Sequence, residues 1–331
     1  GDTLQFARFA TAVKRAAGRV VLRCYDDLKP VLNGLVDQVV GRGDPLPAAD
    51  VQASLMSLPA LCNTGPDASP TPYLRADADT LEHWRHRLSA VAGLKVGLVW
   101  AGNPNHPLDR QRSLPAQALS LLPRLTGLTY VGLQVGDRAG ELAALGGQAL
   151  DLSAELVSFA DTAAVLSQLD LVIAVDTAVA HLAGALARPL WVLLPQAADW
   201  RWMRGRDDSP WYPSARLYRQ PAAGDWDAAG LRLGCDLARR LVPAKRKSAS
   251  VWRRQLESAF AANRLRDAEA AIWGALGDGG TPAEALRMLG AIRLQDDDPA
   301  AAIPLLTASL TPLATSAAVR PRFTSAIAAS A

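Results

Sequence analysis

The sequence predicts an α/β protein built on doubly wound parallel sheets and followed by an all-α helical tail. Three observations predict it. Leu169 to Val175 (LDLVIAV) is a short, β-branched, nearly all-apolar run of strand length, which suits a parallel strand buried on both faces. Such runs alternate with helical segments at intervals of roughly thirty residues. Beyond Ser250 the strand-like runs stop and the sequence becomes Ala- and Leu-rich.

Length and composition narrow the function. A chain of 331 residues holds about two ordinary domains with an appendage. Hydrophobic residues make up 50% and charged residues 20%, the balance of a soluble globular protein. The net charge of +3 is small, and no Lys/Arg block carries interleaved aromatics, so nucleic acid is not an expected partner. Cys24, Cys62 and Cys235 are too few and too far apart for a disulfide framework or a metal spacing, and they fit a reducing cytoplasm. The most apolar stretch carries Asp170, Asp176, His181 and Arg188, which argues against a membrane span. No signal peptide is visible. The chain opens with Gly rather than Met, and its native amino end is expected upstream.

Taken in order, Gly1 to about residue 90 reads as a small α/β lobe. GDTLQFARFATAVKRAAG predicts a helix, with apolar Leu4, Phe6, Phe9, Ala10 and Val13 and a stop at Gly18. Strands are expected at Arg19–Cys24 and Asp37–Val40, with a short helix near Leu28–Leu35 between them and a short apolar segment at VQASLMSLPAL after them. The Pro-, Asn- and Gly-rich region Cys62–Leu74 is a loop, and Leu81–Leu88 a helical connector whose His83 and His86 form a solvated face. A second lobe, residues 93–242, opens with the strand KVGLVWAG and the polar loop NPNHPLDRQRS. A helix from Leu114 to Leu122, the strand run TYVGLQVG, a helix at Arg138–Leu145, an extended Ala149–Leu152 and the helix FADTAAVLSQL lead to the Leu169–Val175 strand. A helix from Thr177, a strand at Leu190–Leu194, a Trp-rich stretch and a helix over Asp227–Arg240 complete it. Pro243–Ser250 (PAKRKSAS) reads as a linker to a helical tail at 250–331. There Arg264–Leu276 and Asp297–Leu310 match at an offset of 34, Ala268 onto Ala302 and Leu276 onto Leu310. That is the tetratricopeptide period, though a plain helical bundle is equally Ala- and Leu-rich.

Asp176 and Thr177 end the apolar strand and open a helix. Free backbone N–H groups and the helix dipole make such a junction a natural phosphate site, with Thr177 a good N-cap. His181 comes four residues after Thr177 and so shares its helix face.

Six strings in order, GDTLQFARF (1–9), SLMSLP (54–59), GLVWAGNPNHPLDRQRS (97–113), LQVGD (133–137), FADTAAVLSQLDLVIAVDTAVAHLAGAL (159–186) and DWRWMRGRDDSPWYPSARLYRQ (199–220), carry a resemblance. Over Asp2 to about Leu241 the chain resembles the tetratricopeptide-associated bacterial glycosyltransferases, relatives of the lipopolysaccharide heptosyltransferases and, more distantly, of the protein O-GlcNAc transferases. The resemblance implies a GT-B fold, two facing Rossmann-like lobes with the acceptor on the first and the nucleotide-sugar on the second. It implies no cofactor and no metal, in keeping with the absence of a DxD-type carboxylate pair in a suitable loop.

On that resemblance, Asp176 and Thr177 contact the donor and His181 acts in catalysis, donating to the leaving phosphate. The plainer readings are a helix cap for Asp176 and a hydrogen-bonded interior histidine for His181. Arg110, Arg112 and Ser113 stand in the loop after the second lobe's first strand, where cations would neutralise charge on a departing diphosphate; surface arginines are the alternative. Gln134 and Gly136 end the next strand close to the nucleotide, unless Gly136 only makes a turn. Trp200 and Trp202, with Trp211 and neighbouring arginines, form either a stacking wall for the donor or a packed-down loop. Asp2 resembles the catalytic base of the heptosyltransferases, with an N-cap as its plain alternative, and the first strand of that lobe is then absent here. The expected activity is metal-independent sugar transfer from a nucleotide-sugar to a protein, glycan or lipid-linked acceptor, with a protein partner on the helical tail. The rival is a non-catalytic scaffold on a decayed GT-B fold.

Overall fold

The computed structural model describes residues 1–66, 71–241 and 249–310. Its eight strands are β1 (Val21–Arg23), β2 (Gln38–Val40), β3 (Leu94–Val99), β4 (Leu128–Gly132), β5 (Ala149–Asp151), β6 (Leu171–Val175), β7 (Leu190–Leu194) and β8 (Ala215–Arg219). Its helices are α1 (Asp2–Phe6), α2 (Ala10–Ala16), α3 (Lys29–Leu32), α4 (Leu58–Leu61), α5 (Ala78–Arg87), α6 (Asp109–Arg112), α7 (Phe159–Gln168), α8 (Ala178–Ala185), α9 (Trp226–Leu241), α10 (Ala249–Ala261), α11 (Leu265–Gly277), α12 (Pro282–Gln295) and α13 (Pro299–Leu310).

The apolar runs become one parallel sheet of six strands in the order β5-β4-β3-β6-β7-β8. Every residue of β6 and β7 is buried, as their unbroken apolar sequences require. The chain builds outward from β3 through β4 to β5, then returns to place β6 on the other side of β3. In such a sheet the crevice for a ligand opens where the order reverses, at the carboxyl ends of β3 and β6. Their register pairs Val96 with Leu171 and Val99 with Ala174, so Trp100–Gly102 finish beside Val175–Thr177.

The amino-terminal residues form a separate two-stranded parallel sheet, β1 with β2. They do not form a separate core. Leu4, Phe6, Phe9, Leu22 and Trp84 share one buried apolar cluster with Leu166, Leu182, Val192 and Tyr212. Polar bonds stitch the same surfaces together. The Trp84 indole donates to Asp161 Oδ1 at 3.0 Å, and Asp161 in turn closes the cap of α7 on Ser158. Arg8, itself buried, donates to the Trp211 carbonyl at 2.8 Å.

The chain therefore divides differently from the expected 1–90, 93–242 and 250–331. One compact unit comprises Gly1–Leu114 and Gly127–Arg219; the other comprises Pro115–Thr126 and the chain from Gln220 onward. Residue 90 is no boundary because α1 buries its apolar side in the same core as β6 and α8. Likewise α9 and residues 115–126 join the helices beyond 249 instead of the sheet. The expected linker falls largely on residues 242–248, outside the described residues.

Some local expectations also change. The single amino-terminal helix is instead α1, a 3₁₀ turn at Ala7–Phe9 and α2 in succession. The helices expected at 114–122 and 138–145 are 3₁₀ segments, Ala116–Leu121 and Ala139–Gln148, the latter broken at Gly146. Strand β8 was not anticipated, since ARLYR carries two arginines, Arg216 and Arg219, along a sheet edge.

In the helical unit, α11 and α13 begin 34 residues apart, each preceded by a left-handed residue, Asn263 or Asp297. Ala268 and Ala302 are both buried, but Leu276 is buried where Leu310 is exposed. At the centre lies a buried ionic cluster. The Glu269 carboxylate accepts both Arg293 Nη atoms at 2.7 and 2.8 Å, the Arg124 backbone N–H at 2.6 Å and the Trp273 indole at 3.2 Å. Arg124 itself pairs with Asp298 at 2.8 Å. Removing one member of a buried pair strands the other charge. We expect Arg293→Met to destabilise the protein by about 3–5 kcal/mol, with much of the loss recovered in Arg293→Met/Glu269→Met. Urea unfolding followed by circular dichroism measures both.

Candidate functional site

The loop after β3 turns back on itself through α6, and three side chains prop it. The Gln134 carboxamide oxygen accepts the Ala101 N–H at 2.9 Å, Ser113 Oγ accepts the Gly102 N–H at 2.9 Å, and Ser113 donates to Asp109 at 3.0 Å. A side chain at Gly102 would collide with Arg112 and Asp109, so glycine is required for this close approach. Arg112 is thereby aimed across the switch point. Its Nε donates to Asp109 at 3.3 Å and its Nη1 to the Asp176 carbonyl at 3.1 Å. Gln134 and Ser113 are buried props of the loop. Arg110 is exposed and takes no part in this arrangement. Gly136 has φ +86°, so it makes a left-handed turn.

Beyond β6, Thr177 occupies the N-cap position of α8 in extended conformation but does not cap with its side chain. Its hydroxyl donates back to the Val175 carbonyl at 3.2 Å. The first amides of α8 thus have no side-chain cap where Arg112 arrives. Asp176 does not cap the helix either; one carboxylate oxygen stands 3.7 Å from His181 Nε2. Burial pushes the Asp176 carboxyl up, but His181 outweighs it, with smaller help from the Trp202 indole and Arg112, and the net pKa is lowered.

His181 is an interior histidine, 4% exposed. Trp202 stacks on it at 5.5 Å, and its Nδ1 lies 2.9 Å from the Tyr212 hydroxyl. Burial lowers its pKa against the opposing pull of Asp176, so the ring is neutral. Burial also drives the Tyr212 phenol well above its ordinary value, so it remains an O–H. The Tyr212 hydroxyl is bonded to that of Tyr73, which donates to the Leu4 carbonyl at 2.9 Å and accepts from Arg8 at 3.4 Å. Gly184 of α8 lies flat against the Tyr212 ring, where any side chain would collide.

This buried chain brings α1 to the site. A Cβ on Gly1 would stand 3.0 Å from the His181 ring. Asp2 is the first residue of α1, with Gly1 as N-cap, and its half-exposed carboxylate accepts Arg201 Nη2 at 2.6 Å. Arg201 is held in turn by Asp199 at 2.8 Å and lies over the Trp200 ring at 4.9 Å. Trp200 is 59% exposed, whereas Trp202 and Trp211 are buried and hold the loop down. Sequence reasoning passed over Tyr73, Tyr212, Arg8 and Asp109, and had Arg201 only as one arginine of a Trp-rich stretch. Nothing local marks a partner roughly 200 residues away. Among the described residues, no three of His, Cys, Asp and Glu converge as a metal would need. None of the helices there is long and apolar enough to cross a membrane.

The buried neutral His181 has a consequence for stability. Unfolded, it takes a proton near 6.5; folded, only at lower pH. Acid therefore favours the unfolded chain between those values, and stability is full above about pH 6.5 and falls below it. Asp176, also lowered, adds its loss only below its ordinary 3.8. We expect the thermal midpoint to fall between about pH 7 and about pH 5, and His181→Gln to flatten that slope whatever its own midpoint.

Three kinds of likeness bear on this site. Residues 138–204 match glycosyltransferase family 9 (heptosyltransferase). Protein FlbA of Caulobacter vibrioides is 31% identical over 165 residues, covering 47% of this chain and 27% of FlbA. The chain thus spans about a quarter of the length of that curated relative. Among solved structures, E. coli ADP-heptose LPS heptosyltransferase II superposes with a TM-score of 0.50 at 13% identity, over 72% of this chain and 96% of the enzyme. A family 9 glycosyltransferase from Veillonella parvula gives 0.48 at 11% identity, over 66% and 82%. The stretch that holds Asp176, Thr177, His181, Trp200 and Trp202 thus matches glycosyltransferase family 9 (heptosyltransferase), in a chain whose fold is similar to that of the E. coli enzyme.

Proposed function

We propose that this protein transfers a sugar from a nucleoside diphosphate to an acceptor hydroxyl or nitrogen. The observation that carries the reading is the Arg112 guanidinium fastened at the mouth of α8, beside amides that no side chain caps, at the sheet's switch point. A fixed cation and free N–H groups in one crevice suit a diphosphate. The family 9 match over the same helix gives that diphosphate a sugar to carry.

In the reaction, the acceptor attacks the anomeric carbon and passes its proton to the Asp2 carboxylate. The bond from the anomeric carbon to the phosphate oxygen breaks, and its electron pair leaves on the diphosphate. Arg112 and the α8 amides stabilise that charge. Neutral His181 stands beside the Asp176 carboxylate, which is left to accept hydrogen bonds from donor hydroxyls. Trp200 offers an exposed ring for donor or acceptor. No metal enters this scheme. The helices from 249 onward, with their 34-residue spacing, are read as a tetratricopeptide-like surface for a protein partner, and the site of action as the cytoplasm.

A thermal-shift panel of ADP-, UDP- and GDP-sugars tests the donor. ADP-sugars come first because the E. coli structural neighbour is an ADP-heptose enzyme by name. A donor at about 100 times its Kd adds about 2.7 kcal/mol. Arg112→Ala should weaken binding about tenfold or more, and Thr177→Val less, since its hydroxyl already bonds Val175. Unchanged affinity in both variants would move the donor elsewhere. Asp2→Asn should leave donor binding intact and lower turnover by about 100-fold or more. Failure of every nucleotide-sugar to bind would favour a scaffold.

A further inference from the structure

The small sheet has a carboxyl edge of its own. β1 and β2 run parallel with Arg23 opposite Val40, so Cys24–Tyr25 and Gly41–Arg42 leave it side by side. They open into a cavity of about 430 Å³ lined by Thr3, Arg23, Cys24, Tyr25 and Arg42. The Arg42 guanidinium lies flat on the Tyr25 ring, 3.6 Å from its centre. Stacking occupies the face of a guanidinium and leaves its N–H edge free to bind. Arg23 is oriented by one bond, from Nη2 to the Arg42 carbonyl at 2.6 Å. Among the described residues neither guanidinium is paired with a carboxylate. Of the neighbouring acids, Asp44 is taken up by other groups. Asp44 holds Lys29 at 2.7 Å and the Gly41 N–H at 2.8 Å, and Asp26 lies against Gly41.

Two cations held over a concave surface, neither of them paired with a carboxylate among the described residues, call for an oxyanion. Thr3, in the wall of the cavity, is the residue next to Asp2 in α1. We propose that Arg23 and Arg42 form an anion subsite that grips a carboxylate or phosphate group on the acceptor and so brings the acceptor's nucleophile to Asp2. That the gripped molecule is an acceptor rests on the glycosyltransfer reading; that the subsite binds an oxyanion does not.

Isothermal titration of the full chain with inorganic phosphate and with glutarate tests it. Both probes serve because phosphate and carboxylate share the chemistry, and their relative affinities tell which group the subsite prefers. Arg23→Gln and Arg42→Gln should each weaken the preferred probe about tenfold, and the double variant should abolish its binding at this site. Both side chains are exposed, so folding is retained, and circular dichroism checks it. Arg112→Gln, at the other anion site, should leave this binding in place. No binding of either probe to the wild type, or binding unchanged in the double variant, overturns the subsite. The donor reading is judged separately: if nucleotide-sugars never bind but phosphate is lost in the double variant, the subsite stands and the assignment of its ligand as a sugar acceptor falls.

Discussion

A buried run of hydrogen bonds, from His181 through Tyr212 and Tyr73 to Arg8 and the Leu4 carbonyl, is what the site depends on. Each group in it would be costly to bury alone. Together they satisfy one another only when α1 lies against α8 in one way. That arrangement sets Asp2 near Arg201 and puts Gly1 against the imidazole. Gly184 is the steric counterpart, since only a bare α-carbon lets the Tyr212 ring reach His181. Arg112 needs a different constraint, the level ending of β3 and β6, which brings its loop within reach of the Asp176 carbonyl.

Much of this was legible. LVIAV suits a strand buried on both faces, and the polar pair after it reads as its exit into α8. The alternation of strands and helices gave the parallel sheet, and the proximity of Arg112 to Asp176 followed from both being at carboxyl ends. What was not legible is non-local. The Asp2–Arg201 pair and the Tyr73–Tyr212 bond join distant parts of the chain that no periodicity links. Gln134, just past a strand end, and Ser113, in the loop after β3, are polar, which reads equally as ligand contact or backbone prop; each holds a backbone N–H of that loop. β8 was hidden because an edge strand can carry arginine on its open side.

The helical unit rests on a different kind of interior. Glu269 and Arg293 are both fully buried, and their two-pronged pairing recruits a backbone N–H and an indole. Such a cluster contributes little net stability compared with an apolar core. Its effect is selective, since a helix that slips along its neighbour by one turn strands a carboxylate.

Residues 115–126 belong with the helices although they are flanked on both sides by the sheet unit. The backbone therefore passes between the units three times, after Leu114, after Thr126 and after Arg219. A domain hung on one linker can be gained, lost or exchanged by a single recombination event. Here such an event would leave Arg124 without Glu269 and Asp298, and the loop bearing Arg112 would run directly into an orphaned segment. Cut out on their own, the helices from 249 onward would lose the Arg124 segment to which Glu269 and Asp298 bond.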